Sequence, residues 1–417
     1  MSRNFENVYA VGLVILLNLT ALNSFPRLVF LFLLLPGVLR PKMIIPVYIF
    51  ASLSSTFYIF QPGLGMGRII GSLVIIAIIF DLLRTKRKFQ IHHRSSIAAM
   101  VLFVGTSGLL SGSDSITETI KFLHLLASML ALTLMPNVDA RQLIQQLFLG
   151  SLIVLGLFYI ELGSDLLSGI SRRVSISDDV NENRFAMMLG QLSVICFSYI
   201  FSRRLSTTSQ ALAILGSTMA ILLMILSGSR SSLFATLMVF LIFLTYQFKQ
   251  LLPRLIVLGF IAISISTISK LNVSDFVGDA LLQRYTLDGL QNSGGSQVRF
   301  KVWSSLLPFV INNHLFFGLG FGANNVLEAG AQFGVNKPAH NLILDLFLQI
   351  GMIGLTLFTS FFFLLAREIR RNRKNVILIV PGMLLAVTIL NGVGESIFME
   401  RLLWNNVGLI YLFIKHR

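Results

Sequence analysis

Several short groups of residues in this chain combine fixed cations, an imidazole and small polar side chains in a pattern suited to an anionic substrate. The first is Ser227-Gly-Ser-Arg230-Ser-Ser232, where small residues flank one arginine at the mouth of an apolar segment. The second is Val298-Arg299-Phe-Lys301-Val-Trp303, two cations followed by an indole. The third is Pro338-Ala-His340-Asn341, which opens an apolar run ending in Gly351 and Gly354. A fourth polar cluster joins Asp178-Asp179 to Asn181-Glu-Asn183-Arg184, and Glu395 and Glu400 flank the end of a late apolar segment.

A guanidinium binds phosphate oxygens through a two-pronged fork, more strongly where water is scarce. Arg230 and Arg299 are therefore candidate phosphate contacts. Lys301, Asn183 and Arg184 are further polar contacts to substrate, and Trp303 is a surface for sugar or lipid to pack on. The competing readings are structural: a snorkelling arginine at a helix end for Arg230, and an interfacial helix with a basic edge and an aromatic anchor for Arg299–Trp303. An imidazole can take a proton near neutral pH, as a general base must. His340 is the histidine placed for that role, with Asn341 beside it and Glu395 available to orient a hydroxyl or to pair with Arg401. Together these groups suit transfer of a group from a membrane-anchored pyrophosphate, with arginines offsetting the charge of the leaving group. The outer loops hold no Asp-x-Asp spacing, so no metal site is expected. No Walker-type phosphate loop occurs, so no nucleotide or other cofactor is expected and the donor must carry the energy.

The elements that position these residues are membrane helices. Hydrophobic residues make up 55% of the 417 positions and charged residues only 12%, against about 25% charged in a soluble domain. A helix needs roughly 17 to 25 mostly apolar residues to cross a bilayer. Runs such as Ile69–Leu83, Leu147–Ile160, Ala211–Leu226 and Leu255–Ile268 form the cores of such segments. The pattern predicts an all-α polytopic bundle of about twelve to fourteen spans, centred near residues 15, 32, 52, 76, 104, 126, 152, 194, 218, 239, 261, 353, 384 and 407. Residues 1–417 then form one integral membrane domain.

Charge sets the orientation. The net charge is +15, but the basic residues cluster in short loops after even-numbered spans, as in Arg84-Thr-Lys86-Arg87-Lys88 and Arg370-Arg371-Asn-Arg373-Lys374. That is the mark of membrane orientation rather than of nucleic-acid binding, and it places both termini in the cytoplasm. The first long outer loop then covers residues 161–184 and the main outer loop residues 271–339. The latter holds an amphipathic stretch, Val302–Ile311, read as short helical structure, and a glycine-rich turn, Gly318-Leu-Gly320-Phe-Gly322. The lone cysteine, Cys196, lies in an apolar run and reads as a small packing residue.

Three of these stretches resemble the bacterial O-antigen polymerase and O-antigen ligase superfamily of membrane glycosyltransferases. Ser-Gly-Ser-Arg230-Ser-Ser is similar to its arginine motif, Phe317-Gly-Leu-Gly-Phe-Gly322 to its outer-loop glycine segment, and His340-Asn341 with the trailing Gly351-Met-Ile-Gly354 to its histidine motif. The resemblance implies a GT-C-like helical fold in the bacterial inner membrane, acting at the periplasmic face. It implies an undecaprenyl-diphosphate-linked oligosaccharide donor, a glycan acceptor, membrane lipid as a surrounding partner, a chain-length regulator protein as a further partner, and transfer without a metal. Arg230 and Arg299 would hold the pyrophosphate and His340 would act at the acceptor. The reaction expected first is repeat-unit polymerisation. Ligation of finished glycan to a lipid core is the near alternative, and flipping of a lipid-linked oligosaccharide is the alternative from another class.

Overall fold

A computed structural model describes residues 3–21, 30, 33–36, 40, 43–53, 66–85, 93–111, 113–135, 138–162, 182–202, 206–247, 294–335, 337–372 and 376–415. The described elements are helical throughout, with no strand among them. In chain order they are α1 (Arg3–Ala21), α2 (Ile45–Leu53), α3 (Met66–Thr85), α4 (Arg94–Leu110), α5 (Ser113–Leu134), α6 (Ala140–Glu161), α7 (Glu182–Ser202), α8 (Thr207–Leu226) and α9 (Arg230–Gln247). They continue with α10 (Gly294–Asn313), α11 (Ala323–Ala331), α12 (Leu342–Arg371), α13 (Ile379–Asn391) and α14 (Arg401–Lys415).

A helix covers each expected span centre except two. The span near residue 32 lies largely, and that near 261 wholly, outside the described residues. Among the described residues 4 helices are long and apolar enough to cross a membrane: Ser115–Leu134, Ala140–Glu161, Thr207–Leu226 and Leu342–Arg371. The chain is an all-α polytopic membrane protein.

Contacts divide the chain into two compact units, Leu147–Ser293 and the remainder, Met1–Gln146 with Gly294–Arg417. In the first of these, small residues let helices close on one another, as membrane packing favours. A Cβ at Gly216 would lie 2.6 Å from Leu152 Cδ2 and 2.9 Å from Cys196 Sγ, so the glycine admits α6 and α7 against α8. Cys196 is fully buried there as a packing residue. Ser193 and Ser217 hydroxyls meet at 3.0 Å, and Phe197 stacks on Phe240 with ring centroids 4.0 Å apart.

The larger unit is centred on an aromatic knot. Phe122 of α5 packs on Phe321, Phe358, Phe398 and Trp404, with centroid separations of 5.2 to 6.0 Å. Trp404 also donates its indole N–H to the Phe398 carbonyl at 2.9 Å, so its polar edge is not left unpaired in the core. The knot ties together α5, α12, α14, the glycine-rich turn and the 392–400 connector. Beside it α10 lays Val302, Leu306 and Val310, a helical i, i+4, i+8 stripe, onto Val326 of α11 and Leu348 of α12. The amphipathic element is thus longer than the sequence suggested, running from 294 to 313 rather than over 302–311 alone.

Candidate active site

The site is built on a break in α12. Gly351 has φ 63° and ψ −165°, which splits the helix into two halves. A break frees backbone groups, and in a membrane-spanning segment each must find a partner within the protein. Residues 315–320 supply them. Leu319 N–H donates to the Leu348 carbonyl at 2.8 Å and Gly320 N–H to the Gln349 carbonyl at 3.0 Å. In return Met352 N–H donates to the Leu315 carbonyl at 2.9 Å and Ile353 N–H to the Phe316 carbonyl at 3.2 Å. Gln349, buried in an otherwise apolar run, accepts the Gly322 N–H at 3.0 Å through its side chain.

Backbone meets backbone here at glycines. A Cβ on Gly318 would stand 2.6 Å from the Gln349 carbonyl carbon, and one on Gly351 would stand 2.5 Å from that of Phe316. Both glycines also have positive φ. The two glycine motifs seen in the sequence therefore form one structural joint.

The joint sets the first half of α12, and with it the residues at its start. Asn341 is the N-cap: its side-chain oxygen accepts from Ile343 and Leu344 N–H, each at 3.1 Å. Its amide nitrogen donates to the Val393 carbonyl at 3.1 Å, and Leu342 N–H donates to the Gly392 carbonyl at 2.7 Å. Both ends of the Asn341 side chain are thus engaged by protein, and they hold the 392–395 connector against the helix start. Replacing Asn341 with alanine is expected to cost about 1 kcal/mol from the lost cap. Thermal unfolding in detergent measures that loss, and the transfer rate should fall further than stability because Glu395 loses its tether.

Before the cap, His340 has φ 50°, a left-handed conformation uncommon outside glycine and asparagine. Such strain concentrates at functional positions. The residue before it is fixed from α10, where Trp303 donates its indole N–H to the Ala339 carbonyl at 2.8 Å. Trp303 is therefore an anchor for the histidine turn. Trp303→Phe keeps an aromatic ring, though a smaller one, and removes the bond, worth about 1 kcal/mol. We expect a lower kcat with little change in unfolding temperature, read by comparing steady-state rates with a melting curve.

These elements bring three side chains together. Nδ1 of His340 lies 3.3 Å from Oε2 of Glu395. The Arg299 guanidinium lies 3.9 Å from Oε1 of the same carboxylate. Glu395 is largely shielded, with its side chain 16% exposed. Arg299 and His340 are thus among its partners. Lys301, two residues along α10 from Arg299, is exposed. The sequence reading missed a second acid: Asp345 is 6% exposed on the buried face of α12, within electrostatic reach of His340. A lone carboxylate in an apolar helix was the available signal.

The remaining candidates lie in the other unit and are described separately. Arg230 is the first residue of α9 and is half-buried. Gly228, with φ 68°, makes the turn that precedes it. The serines of the motif serve that turn: the Ser227 hydroxyl donates to the Met224 carbonyl at 2.7 Å and accepts from Ser229 N–H at 3.3 Å. Asn183 and Arg184 fall in the first turn of α7 rather than in a loop. Asp178 and Asp179 lie outside the described residues.

Oriented through Nδ1 by a carboxylate, His340 can present Nε2 as a base, with Arg299 as a positive charge alongside. That arrangement can remove a proton from a hydroxyl while favouring an anionic leaving group. No curated protein matches the chain. Residues 214–359 match the family described as O-antigen ligase, a stretch that holds Arg230, Arg299, the glycine joint and His340 but not Glu395. The match supports, across residues 214–359, the likeness to the O-antigen polymerase and O-antigen ligase superfamily.

Proposed function

We propose that the protein is a repeat-unit polymerase for a surface polysaccharide. It transfers a growing glycan from undecaprenyl diphosphate to a sugar hydroxyl of another carrier-linked unit, at the outer face of the bacterial inner membrane and with both termini cytoplasmic. The observation that supports glycan transfer of this kind is the Glu395 carboxylate facing both His340 and Arg299. In the reaction, His340 Nε2 takes the proton of the acceptor hydroxyl as its oxygen bonds to the anomeric carbon of the donor. The bond between that carbon and the phosphate oxygen breaks, and its electron pair leaves with the diphosphate. Arg299 offsets the charge that develops, a role a guanidinium can fill without a metal. Lys301 serves as a further polar contact to substrate.

Ligation to a lipid core is a second reading, favoured by the description of the matching family. Both use the same chemistry and differ in the acceptor. Surface glycan from a strain lacking the gene separates them. Chains of a single repeat on their final acceptor support the polymerase. Full-length chains retained on the polyprenyl carrier contradict it and support the ligase.

A further inference from the structure

Four helices of the larger unit each contribute a pair of polar or small residues, one turn apart, to a second buried cluster. They are Tyr48 and Ser52 of α2, Arg68 and Gly71 of α3, His124 and Ser128 of α5, and Arg401 and Asn405 of α14. Gly71 brings the helices close: a Cβ there would lie 3.2 Å from Ser128 Oγ, 3.2 Å from a Tyr48 ring carbon and 3.3 Å from His124 Nε2. The Tyr48 hydroxyl donates to Asn405 Oδ1 at 2.8 Å, which fixes the Asn405 amide and turns its nitrogen away.

That nitrogen has no hydrogen-bond partner. Nor has Nε of Arg401, nor Nε2 of His124, and all three atoms are buried. Arg401 is 8% exposed and Asn405 2%. Arg68 and Arg401 lie within electrostatic reach of each other and of His124, so like charges face one another where water is scarce. Glu400 also acts on Arg401 but does not satisfy its Nε. A buried guanidinium with an unpaired N–H is costly unless an anion completes it. The free N–H also stands at the start of α14, where the helix dipole favours negative charge.

We propose that Arg401, Asn405, His124 and Arg68 form a second anion site, which holds the diphosphate of the carrier-linked acceptor. The assignment rests on the polymerase reading, because only there do both substrates carry a diphosphate. The 392–400 connector joins this site to the first, with Glu395 near one end and Arg401 at the other. Donor diphosphate then lies with Arg299 and acceptor diphosphate with Arg401.

Native mass spectrometry of the full chain with undecaprenyl diphosphate tests this. The wild type should retain two molecules per chain, Arg401→Gln one, Arg299→Gln one, and the double variant none. Arg401→Lys keeps the charge and should retain the second molecule at reduced occupancy, which separates a lost site from a lost fold. Two molecules retained by a folded Arg401→Gln would overturn the proposal. So would displacement of the second molecule by phosphatidylglycerol at equal concentration, because the site would then be a general lipid headgroup contact. Failure of the polymerase reading looks different: the wild type binds two carriers yet forms no longer product from a carrier-linked repeat.

Discussion

Replacing His340 with asparagine abolishes glycan transfer while leaving the fold in place. Asparagine tolerates the left-handed backbone that His340 adopts at φ 50°, so the turn before α12 should survive. What is lost is the imidazole, and with it the contact to Glu395 at 3.3 Å. General-base catalysis contributes about 10²- to 10⁴-fold, and a side-chain amide does not replace it. The expected result is a fall of at least about 10²-fold in the rate of product formation, with an unfolding temperature close to that of the wild type. Single-turnover transfer and a melting curve on the same preparation check both parts. An alanine variant is less informative, since it disturbs the backbone as well as the chemistry.

The second large effect falls on the joint rather than on the chemistry. Gly351→Ala places a Cβ at a φ/ψ combination that essentially only glycine adopts, at a cost on the order of 1–3 kcal/mol. That Cβ would also stand 2.5 Å from the Phe316 carbonyl carbon. Since the obstacle is backbone, no rotamer relieves it. The four hydrogen bonds between 315–320 and 348–353 must then loosen, which exposes polar backbone within a membrane segment. We expect a loss of several kcal/mol, on the order of the largest single-site effects, together with loss of polymer. Gly105→Ala is the contrast: nothing lies within 4 Å of its Cβ, in the interior of α4. There alanine should be neutral or better by about 0.5–1 kcal/mol. Detergent-solubilised yield and unfolding temperature distinguish the two.

The helices were legible because each membrane segment announces itself locally, through a long apolar run. Candidate chemistry was legible for a similar reason: Arg230, Arg299 and His340 lie in short segments whose neighbours mark them out. The start of α10 was not, because Gly294-Gly-Ser-Gln are weak helix formers and only the apolar part of the helix stood out. Gly318 and Gly351 could be read as turn residues one at a time, but their purpose as a pair depends on a contact between distant parts of the chain. Glu395 was ambiguous for the same reason. Arg401 is its neighbour in sequence, yet the Asn341 bridge to Val393 swings the connector so that Glu395 meets His340 and Arg299. The second cluster was illegible altogether, since an unpartnered Nε on a buried Arg401 can be recognised only once its surroundings are packed.

The central claim is that His340 and Glu395 act as one unit in glycan transfer from a polyprenyl diphosphate. Its most direct test is the transfer rate from a synthetic undecaprenyl-diphosphate-linked repeat in proteoliposomes. The proteins compared are the wild type, His340→Asn, Glu395→Gln and the double variant, at matched levels of folded protein. Residues that act as a unit lose their effect together. The account predicts elongated product from the wild type, large losses in both single variants, and a double variant no slower than His340→Asn. Full rates in either single variant, or losses that simply multiply in the double variant, would contradict it.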